Sequence, residues 1–209
     1  MNTYLFDLDG TLIDSMPTYM SVMLNFLDKR NIKYENDIIK IITPLGYKGT
    51  AEYYKTLGVN LSVDDIVKQL KSDIKKEYKY NIPAKKNVIN VLNHLKARGD
   101  RLNVLTASPH EMLDPCLKRL GLFHLFDNVW SCDDFSFKKS EEQIYIETAN
   151  RLEINVEQII FLDDNLLALK TAKRAGARII GVYDQSSEEY SDEIKQISEK
   201  YVTDFISLL

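Results

Sequence analysis

The sequence predicts an α/β fold in which helices flank a mostly parallel β-sheet, with a small all-α domain inserted after the first strand. Between Leu102 and Val182, short apolar runs alternate with helical patterns, and this alternation is typical of βαβ units. Residues 15–82 contain helical patterns without a convincing strand. We therefore expect an α/β core domain made of residues 1–14 and 83–209 and a small helical domain made of residues 15–82.

The first strand is predicted where an apolar run enters "YLFDLDGTLIDS", residues 4–15. In the inserted domain, residues 16–27 place methionines and leucines at helical spacing. Ser62 and Asp65 resemble a capping box, which predicts the start of a second amphipathic helix. We interpret "TPLGYKGT", residues 43–50, as a loop between shorter helical pieces.

The remaining core elements follow as strands and helices in turn. "RLNVLTA", residues 101–107, predicts a second strand. Ser108 and Pro109 are predicted to be the cap residue and the first-turn proline of the next helix. "VEQIIFLDD" and "ARIIGVY" predict two further strands, separated by another helical pattern. The polar C-terminal tail is expected to be a helix that covers the sheet.

Composition and charge exclude several classes of protein. A chain of 209 residues with 44% hydrophobic residues and a net charge of −4 indicates a globular protein without a nucleic-acid or membrane partner. Cys116 and Cys132 are too few for a disulfide framework, so we expect buried thiols. No apolar stretch approaches the ~20 residues of a membrane span, and the N-terminus does not resemble a signal peptide. We expect a cytoplasmic monomer, with a homodimer as the alternative.

Polar residues follow three of the predicted strands. Asp7 and Asp9 follow the first, Thr106 ends the second, and Asp163 and Asp164 end a later one. Parallel sheets bind ligands at the carboxyl ends of their strands, so these side chains should lie together. Clustered carboxylates repel one another unless a cation lies among them, and oxygen ligands suit Mg²⁺, which keeps positions open for a substrate phosphate. The sequence therefore predicts a Mg²⁺ site that accepts a phosphate group.

Four motifs resemble the signatures of the haloacid dehalogenase superfamily. They are, in chain order, "FDLDGTLIDS", "LNVLTAS", "KKSEEQIYIETANRL" and "IIFLDDNLLALKTAKRAGA". The layout is most similar to the group containing phosphoglycolate phosphatase and β-phosphoglucomutase. The resemblance implies a Rossmann-like core, with the helical domain of residues 15–82 as its cap domain. It also implies a Mg²⁺-dependent phosphatase that acts on a small phosphorylated metabolite through an aspartyl-phosphate.

The resemblance implies a role for each acidic residue. Asp7 would be the nucleophile that attacks phosphorus and a ligand of Mg²⁺. Asp9 would protonate the leaving oxygen and then activate water, and its backbone carbonyl would bind Mg²⁺. Asp164 would bind Mg²⁺ directly, with Asp163 as a second ligand or an orienting group. Alternation along an extended chain keeps Asp7 and Asp9 on one side, which explains their two-residue spacing.

The other implied site residues bind the phosphoryl group. Thr106 and the backbone amides around Ala107 would donate hydrogen bonds to its oxygens. Lys139 would balance its charge and that of Asp7, with Lys138 as the alternative lysine.

Two departures from the family pattern affect the site. The third signature has Ser140 where a proline is usual, and we predict that Ser140 and Gln143 form a capping box in its place. Ala168 stands where relatives often carry Asp or Asn, which implies a weaker outer shell around the metal.

The resemblance leaves the reaction and its substrate open. A phosphomutase shares every core residue with a phosphatase, and a non-catalytic binding or regulatory module is a more remote alternative. Dehalogenation is disfavoured because it needs no metal and would leave Asp9 without a role. In the predicted cap loop, Tyr47 and Lys48 are candidate substrate-binding residues.

Overall fold

The structure, a computed structural model, describes residues 1–209, with the side chain of Pro44 left out of the description. The chain folds into two compact units. Met1–Asp14 and Ile82–Leu209 form the first unit, and Ser15–Asn81 form the second.

The first unit is built on a six-stranded sheet in which every strand pair is parallel. Its strands are β1 (Thr3–Phe6), β2 (Arg101–Thr106), β3 (Asn128–Ser131), β4 (Ile159–Asp163), β5 (Arg178–Val182) and β6 (Lys200–Val202). They lie in the order β3-β2-β1-β4-β5-β6. The predicted α/β fold with a parallel sheet is therefore confirmed.

Helices account for most of the remaining chain. The α-helices are α1 (Met16–Asp28), α2 (Ile38–Ile42), α3 (Gly46–Thr56), α4 (Val63–Tyr80), α5 (Val88–Ala97), α6 (His110–Arg119), α7 (Glu142–Arg151), α8 (Leu166–Arg174) and α9 (Ser191–Ile197). Short 3-10 helices span Thr43–Leu45, Phe123–Leu125, Cys132–Asp134, Val156–Gln158, Gln185–Tyr190 and Phe205–Leu208. Within the described part of the chain, no helix combines the length and the apolar character that crossing a bilayer requires.

Both faces of the sheet are covered by side chains. On one face, Leu5 and Phe161 belong to a buried cluster with Tyr145 of α7, whose ring centroid lies 5.1 Å from that of Phe161. Phe6 contacts Phe126 and Phe205. A strand covered on both faces needs apolar residues at successive positions, so β1 and β4 are near-continuous apolar runs in the sequence.

The second unit is helical, and its described residues contain no strand. Phe26 of α1 stacks on Tyr54 of α3 with 5.6 Å between ring centroids. The buried face of α4 consists of Ile66, Leu70, Ile74 and Tyr78. Ser62 accepts a hydrogen bond from the backbone N–H of Asp65 at 3.1 Å, so it caps α4 as the sequence predicts.

The prediction for the C-terminal tail is wrong in part. Its α-helix α9 ends at Ile197, and β6 then pairs with β5 at the edge of the sheet. Strand β6 has only three residues and an exposed Lys200, so it has neither the length nor the apolar pattern of the central strands. The sequence pattern also gave no sign of β3, whose first three residues are only partly buried.

Candidate active site

The carboxyl ends of three adjacent strands bring the predicted polar residues together. Strand β1 pairs with β2 on one side and with β4 on the other. The backbone N–H of Asp7 donates to Leu162 O at 2.9 Å, which continues the pairing one residue beyond β1. Asp7 therefore lies beside the end of β4, where Asp163 is the last residue.

Three carboxylates form a buried acidic cluster at this edge of the sheet. Asp7, Asp163 and Asp164 each have a carboxylate oxygen, and these oxygens all lie within 4.8 Å of one another. The exposed fractions of the three residues are only 4%, 0% and 9%. A set of carboxylate oxygens gathered in one small space has the chemistry of a Mg²⁺ site.

Lys139 is the basic residue of this cluster. Its Nζ donates to Asp7 Oδ1 at 2.6 Å and to Asp163 Oδ2 at 2.7 Å. Lys138, the alternative that the sequence left open, is exposed. Asp163 Oδ1 also accepts from the backbone N–H of Asn165 at 2.8 Å, so both oxygens of Asp163 are engaged within the protein.

The predicted capping box at Ser140 and Gln143 is wrong. Helix α7 begins only at Glu142, and its cap residue, Glu141, makes no side-chain cap hydrogen bond. The Glu141 carboxylate instead accepts from the backbone N–H of Lys138 at 2.9 Å. This hydrogen bond between Lys138 and Glu141 spans the loop that carries Lys139, immediately before α7 begins.

Burial and neighbouring charges together shift the pKa values of the cluster's members. Burial raises the pKa of Asp7 well above its ordinary value, and nearby Asp163 adds to this, while Lys139 opposes it. Burial and the charge of Asp163 raise the pKa of Asp164 to about 7. Burial disfavours the charge of Lys139, but Asp163 and Asp7 outweigh it and raise the pKa of the lysine. A bound cation would oppose both raised carboxyl pKa values, because a nearby positive charge favours the ionised carboxylate.

Asp9 forms a hydrogen bond with the segment that follows β2. Its Oδ2 accepts a hydrogen bond from the hydroxyl of Ser108 at 2.6 Å. The backbone N–H of Ser108 in turn donates to Oγ1 of Thr106 at 3.1 Å. The ends of β1 and β2 are therefore linked through Ser108.

The predicted role of Ser108 as a helix cap is wrong. Helix α6 begins at His110, and Pro109 occupies its cap position. The hydroxyl that was assigned to the helix end binds Asp9 instead. Both interpretations use a hydroxyl immediately after a strand, so sequence alone could not separate them.

A second polar pair near the cluster was not predicted. Asp184 follows β5, and its Oδ2 lies 2.8 Å from Nζ of Lys85. The negative charge of Asp184 raises the pKa of Asp164, while the positive charge of Lys85 lowers it. The rule that found Asp163 could have found Asp184, because an acid follows an apolar strand in both places.

The structure also describes the positions of Tyr47, Lys48 and Ala168, which the sequence analysis singled out. Gly46 begins α3, so the loop predicted at "TPLGYKGT" is wrong, and Tyr47 and Lys48 lie in the first turn of a helix. Lys48 is exposed, whereas the hydroxyl of Tyr47 is buried. The backbone N–H of Ala168 donates to Oδ1 of Asn165, which caps α8.

Comparison with known families agrees with this site. The family model described as haloacid dehalogenase-like hydrolase matches residues 4–182, a range that contains the site residues Asp7, Asp9, Thr106, Lys139, Asp163 and Asp164. The chain belongs to this family.

Individual relatives of this haloacid dehalogenase-like hydrolase are distant. A phosphorylated carbohydrates phosphatase of Thermotoga maritima is 24% identical, over 87% of this chain and 85% of its own. A phosphoglycolate phosphatase of Colwellia psychrerythraea is 26% identical, over 96% of this chain and 91% of its own. The structure of a candidate β-phosphoglucomutase from Thermotoga maritima has a TM-score of 0.83 at 22% identity, covering 97% of this chain and 94% of that one. At that identity, the last comparison shows a shared fold.

Proposed function

We propose that this hydrolase is a Mg²⁺-dependent phosphatase that hydrolyses a small phosphate monoester through an aspartyl-phosphate on Asp7. The observation that carries the proposal is the position of Asp7, which shares Lys139 with Asp163 and an acidic cluster with Asp163 and Asp164. Relatives named as phosphatases support the reaction class.

The donor set fits the metal that the proposal requires. Asp7, Asp164 and the backbone carbonyl of Asp9 would hold Mg²⁺, while Asp163, whose oxygens bind Lys139 and the Asn165 N–H, would orient its neighbours. When bound, the ion neutralises charge on the phosphoryl oxygens and on the attacking carboxylate.

The protein groups account for both halves of the reaction. A carboxylate oxygen of Asp7 attacks phosphorus while the bond to the ester oxygen breaks, and Asp9 gives its proton to that leaving oxygen. Asp9 then takes a proton from the water that attacks the phosphoenzyme, which releases phosphate and restores Asp7. Throughout, Lys139 offsets the charge of Asp7 and of the phosphoryl group.

Thr106 and Ala107 would bind the phosphoryl oxygens. The oxygen of Thr106 accepts from the Ser108 N–H, which leaves the hydroxyl proton to be donated. Thr106 is 1% exposed, and a hydrogen bond made in such a dry site is stronger than one made in water.

A phosphomutase remains the second candidate function. The fold similarity to the candidate β-phosphoglucomutase covers nearly all of the chain. In that reaction a sugar hydroxyl, rather than water, would take the phosphoryl group from Asp7. The relatives named as phosphatases favour water as the acceptor.

A panel of phosphate esters tests the proposal. Sugar phosphates, phosphoglycolate and nitrophenyl phosphate are incubated with the protein in Mg²⁺ or in chelator, and both free phosphate and isomerised sugar phosphate are measured. We expect phosphate release that requires Mg²⁺ and is absent from Asp7→Asn. Isomerisation without net release would identify the phosphomutase instead. Undiminished hydrolysis in chelator would contradict the metal site.

A further inference from the structure

We propose that Lys85 is a positioning residue of the metal site, because it ties the turn after β1 to the end of β5 and thereby holds Asp164 in place. The inference rests on the proposed function, in which Asp164 binds Mg²⁺. Lys85 acts through Asp164 and is not a ligand itself, since a protonated amine has no electron pair to donate.

The side chain of Lys85 is bound to the end of β5. Its Nζ donates to Tyr183 O at 2.6 Å and lies 2.8 Å from Asp184 Oδ2. The other carboxylate oxygen of Asp184 accepts from the backbone N–H and the hydroxyl of Ser186, at 2.9 and 2.6 Å. The side chains of Lys85 and Asp184 are only 15% and 5% exposed, so water competes little for their ion pair. One end of Lys85 is therefore fixed.

The backbone of Lys85 is bound to the segment that follows β1. Its N–H donates to Leu12 O at 2.9 Å, and the residue before it pairs with Ile13 in an antiparallel bridge. The N–H groups of Leu12 and Ile13 donate in turn to Leu8 O, at 2.9 and 3.0 Å, which closes a turn. Gly10 lies within that turn. A shift of Lys85 is therefore passed on to the turn through backbone hydrogen bonds.

Strand β4 lies between the two points that Lys85 connects, because the sheet has the order β1-β4-β5 at this place. Asp164 directly follows the last residue of β4. The turn after β1 is in close contact with it, since a Cβ atom on Gly10 would lie 2.8 Å from Cγ of Asp164. Lys85 thus fixes the turn that confines this carboxylate. Groups that orient a metal ligand in this way contribute to metal affinity without touching the ion.

Mg²⁺ binding in the absence of substrate tests the inference. The dissociation constant is obtained from the rise in melting temperature with added Mg²⁺. It is compared in wild type, in Lys85→Met and in the double variant Lys85→Met/Asp184→Asn. The single substitution keeps the backbone hydrogen bonds and removes both contacts of Nζ. The double substitution also removes the carboxylate that would otherwise stay buried without its cation, so it keeps the net charge and should fold if the single variant does not.

We expect the double variant to bind Mg²⁺ about tenfold more weakly than wild type. Lys85→Met should also bind more weakly, but by a smaller factor, because the loss of a positive charge near the site favours the cation. Lys86→Met is the matched control. It removes the same charge at the next position, where Nζ pairs with Asp204 at 3.1 Å and the side chain is 83% exposed. Its dissociation constant for Mg²⁺ should equal that of wild type.

The other outcomes would overturn the inference. Tighter Mg²⁺ binding by Lys85→Met, with wild-type binding by the double variant, would show that the ion pair acts through its charges alone. Wild-type Mg²⁺ binding by both variants, with a loss only in urea unfolding measured in chelator, would assign the pair to the stability of the fold. A wild-type protein that binds no Mg²⁺ would instead overturn the metal site of the proposed function, and the inference with it.

Discussion

A methyl group on Gly10 would lie 2.8 Å from Cγ of Asp164, and Gly10 has a φ of +72°. Two independent reasons favour glycine at position 10. Residues with a side chain rarely adopt this φ, and a Cβ atom would collide with the carboxylate of Asp164. The turn after β1 therefore approaches Asp164 so closely that only glycine fits between them.

Gly10→Ala should disrupt the metal site rather than merely the turn. We expect about tenfold weaker activation by Mg²⁺, because the added carbon displaces the Asp164 carboxylate from its place in the acidic cluster. Gly121→Ala is the matched control, since Gly121 has a φ of +69° and nothing within 4 Å of the added carbon. Both variants should lose about 1–2 kcal/mol from backbone strain. Mg²⁺ titrations of activity and of melting temperature separate them, and equal Mg²⁺ dependence in the two variants would contradict the contact.

Lys139→Met should abolish phosphatase activity and destabilise the protein. The substitution leaves the buried carboxylates of Asp7 and Asp163 without their shared cation, a loss of about 3–5 kcal/mol in comparable buried pairs. Lys138→Met, at the exposed neighbouring position, should be close to wild type in both respects. Urea denaturation and steady-state kinetics on both variants make the comparison. An inactive Lys138→Met beside an active Lys139→Met would reverse the assignment.

The raised pKa of Asp164 predicts how the stability of the metal-free protein depends on pH. The folded pKa of about 7 lies above the ordinary value of 3.8, so the folded state holds the proton more tightly than the unfolded state. Stability is therefore greatest below about pH 4 for this group and falls as the pH rises through 7.

Asp164→Asn removes this loss. In chelator at pH 8 the variant should melt at a higher temperature than wild type, and the difference should shrink as the pH is lowered towards 4. Added Mg²⁺ should stabilise wild type and not the variant. A variant that is less stable than wild type at pH 8 in chelator would show that the charge of Asp164 does not destabilise the folded state.

Lys48→Ala tests the predicted substrate-binding role of this lysine. We expect a higher KM for a polar native substrate and little change for nitrophenyl phosphate, which has no second charged group to bind. Lys40→Ala, another exposed lysine of the same unit, is the matched control. Equal effects of Lys48→Ala on both substrates would remove Lys48 from substrate selection.

The sequence predicted those parts of the site that follow from strand ends. Asp7 and Asp163 could be predicted as site residues because central parallel strands are apolar throughout. An acidic residue at the carboxyl end of such a strand therefore indicates a ligand site. Lys139 was indicated only by the family motif, since a lysine in a loop carries no local signal of the buried carboxylates that it will contact.

Other features could not be predicted because the same local sequence is compatible with more than one structure. A serine before a proline caps a helix as readily as it binds a distant carboxylate, and only the fold brings Ser108 to Asp9. Edge strand β6 likewise depends on pairing with β5, because its own three residues have no strand pattern.

Asp7→Asn and Asp9→Asn should fail at different steps. Asp7→Asn keeps the shape of the side chain but removes the nucleophile, so no phosphoenzyme should form and turnover should vanish. Asp9→Asn keeps Asp7 and the backbone carbonyl of residue 9, and loses only proton transfer, a contribution of about 10²–10⁴-fold. With nitrophenyl phosphate the leaving group needs no proton, so phosphoryl transfer to Asp7 should survive in Asp9→Asn better than it does with an alkyl phosphate.

The second half-reaction then distinguishes the two carboxylates. Release of phosphate from Asp7 needs an activated water, so Asp9→Asn should accumulate a phosphoenzyme that rapid acid quench traps and mass measurement locates on Asp7. Wild type should show little of it, because both of its steps are catalysed. A labelled Asp7→Asn protein, or an Asp9→Asn variant as fast as wild type on alkyl phosphates, would mean that the nucleophile and the general acid are assigned to the wrong residues.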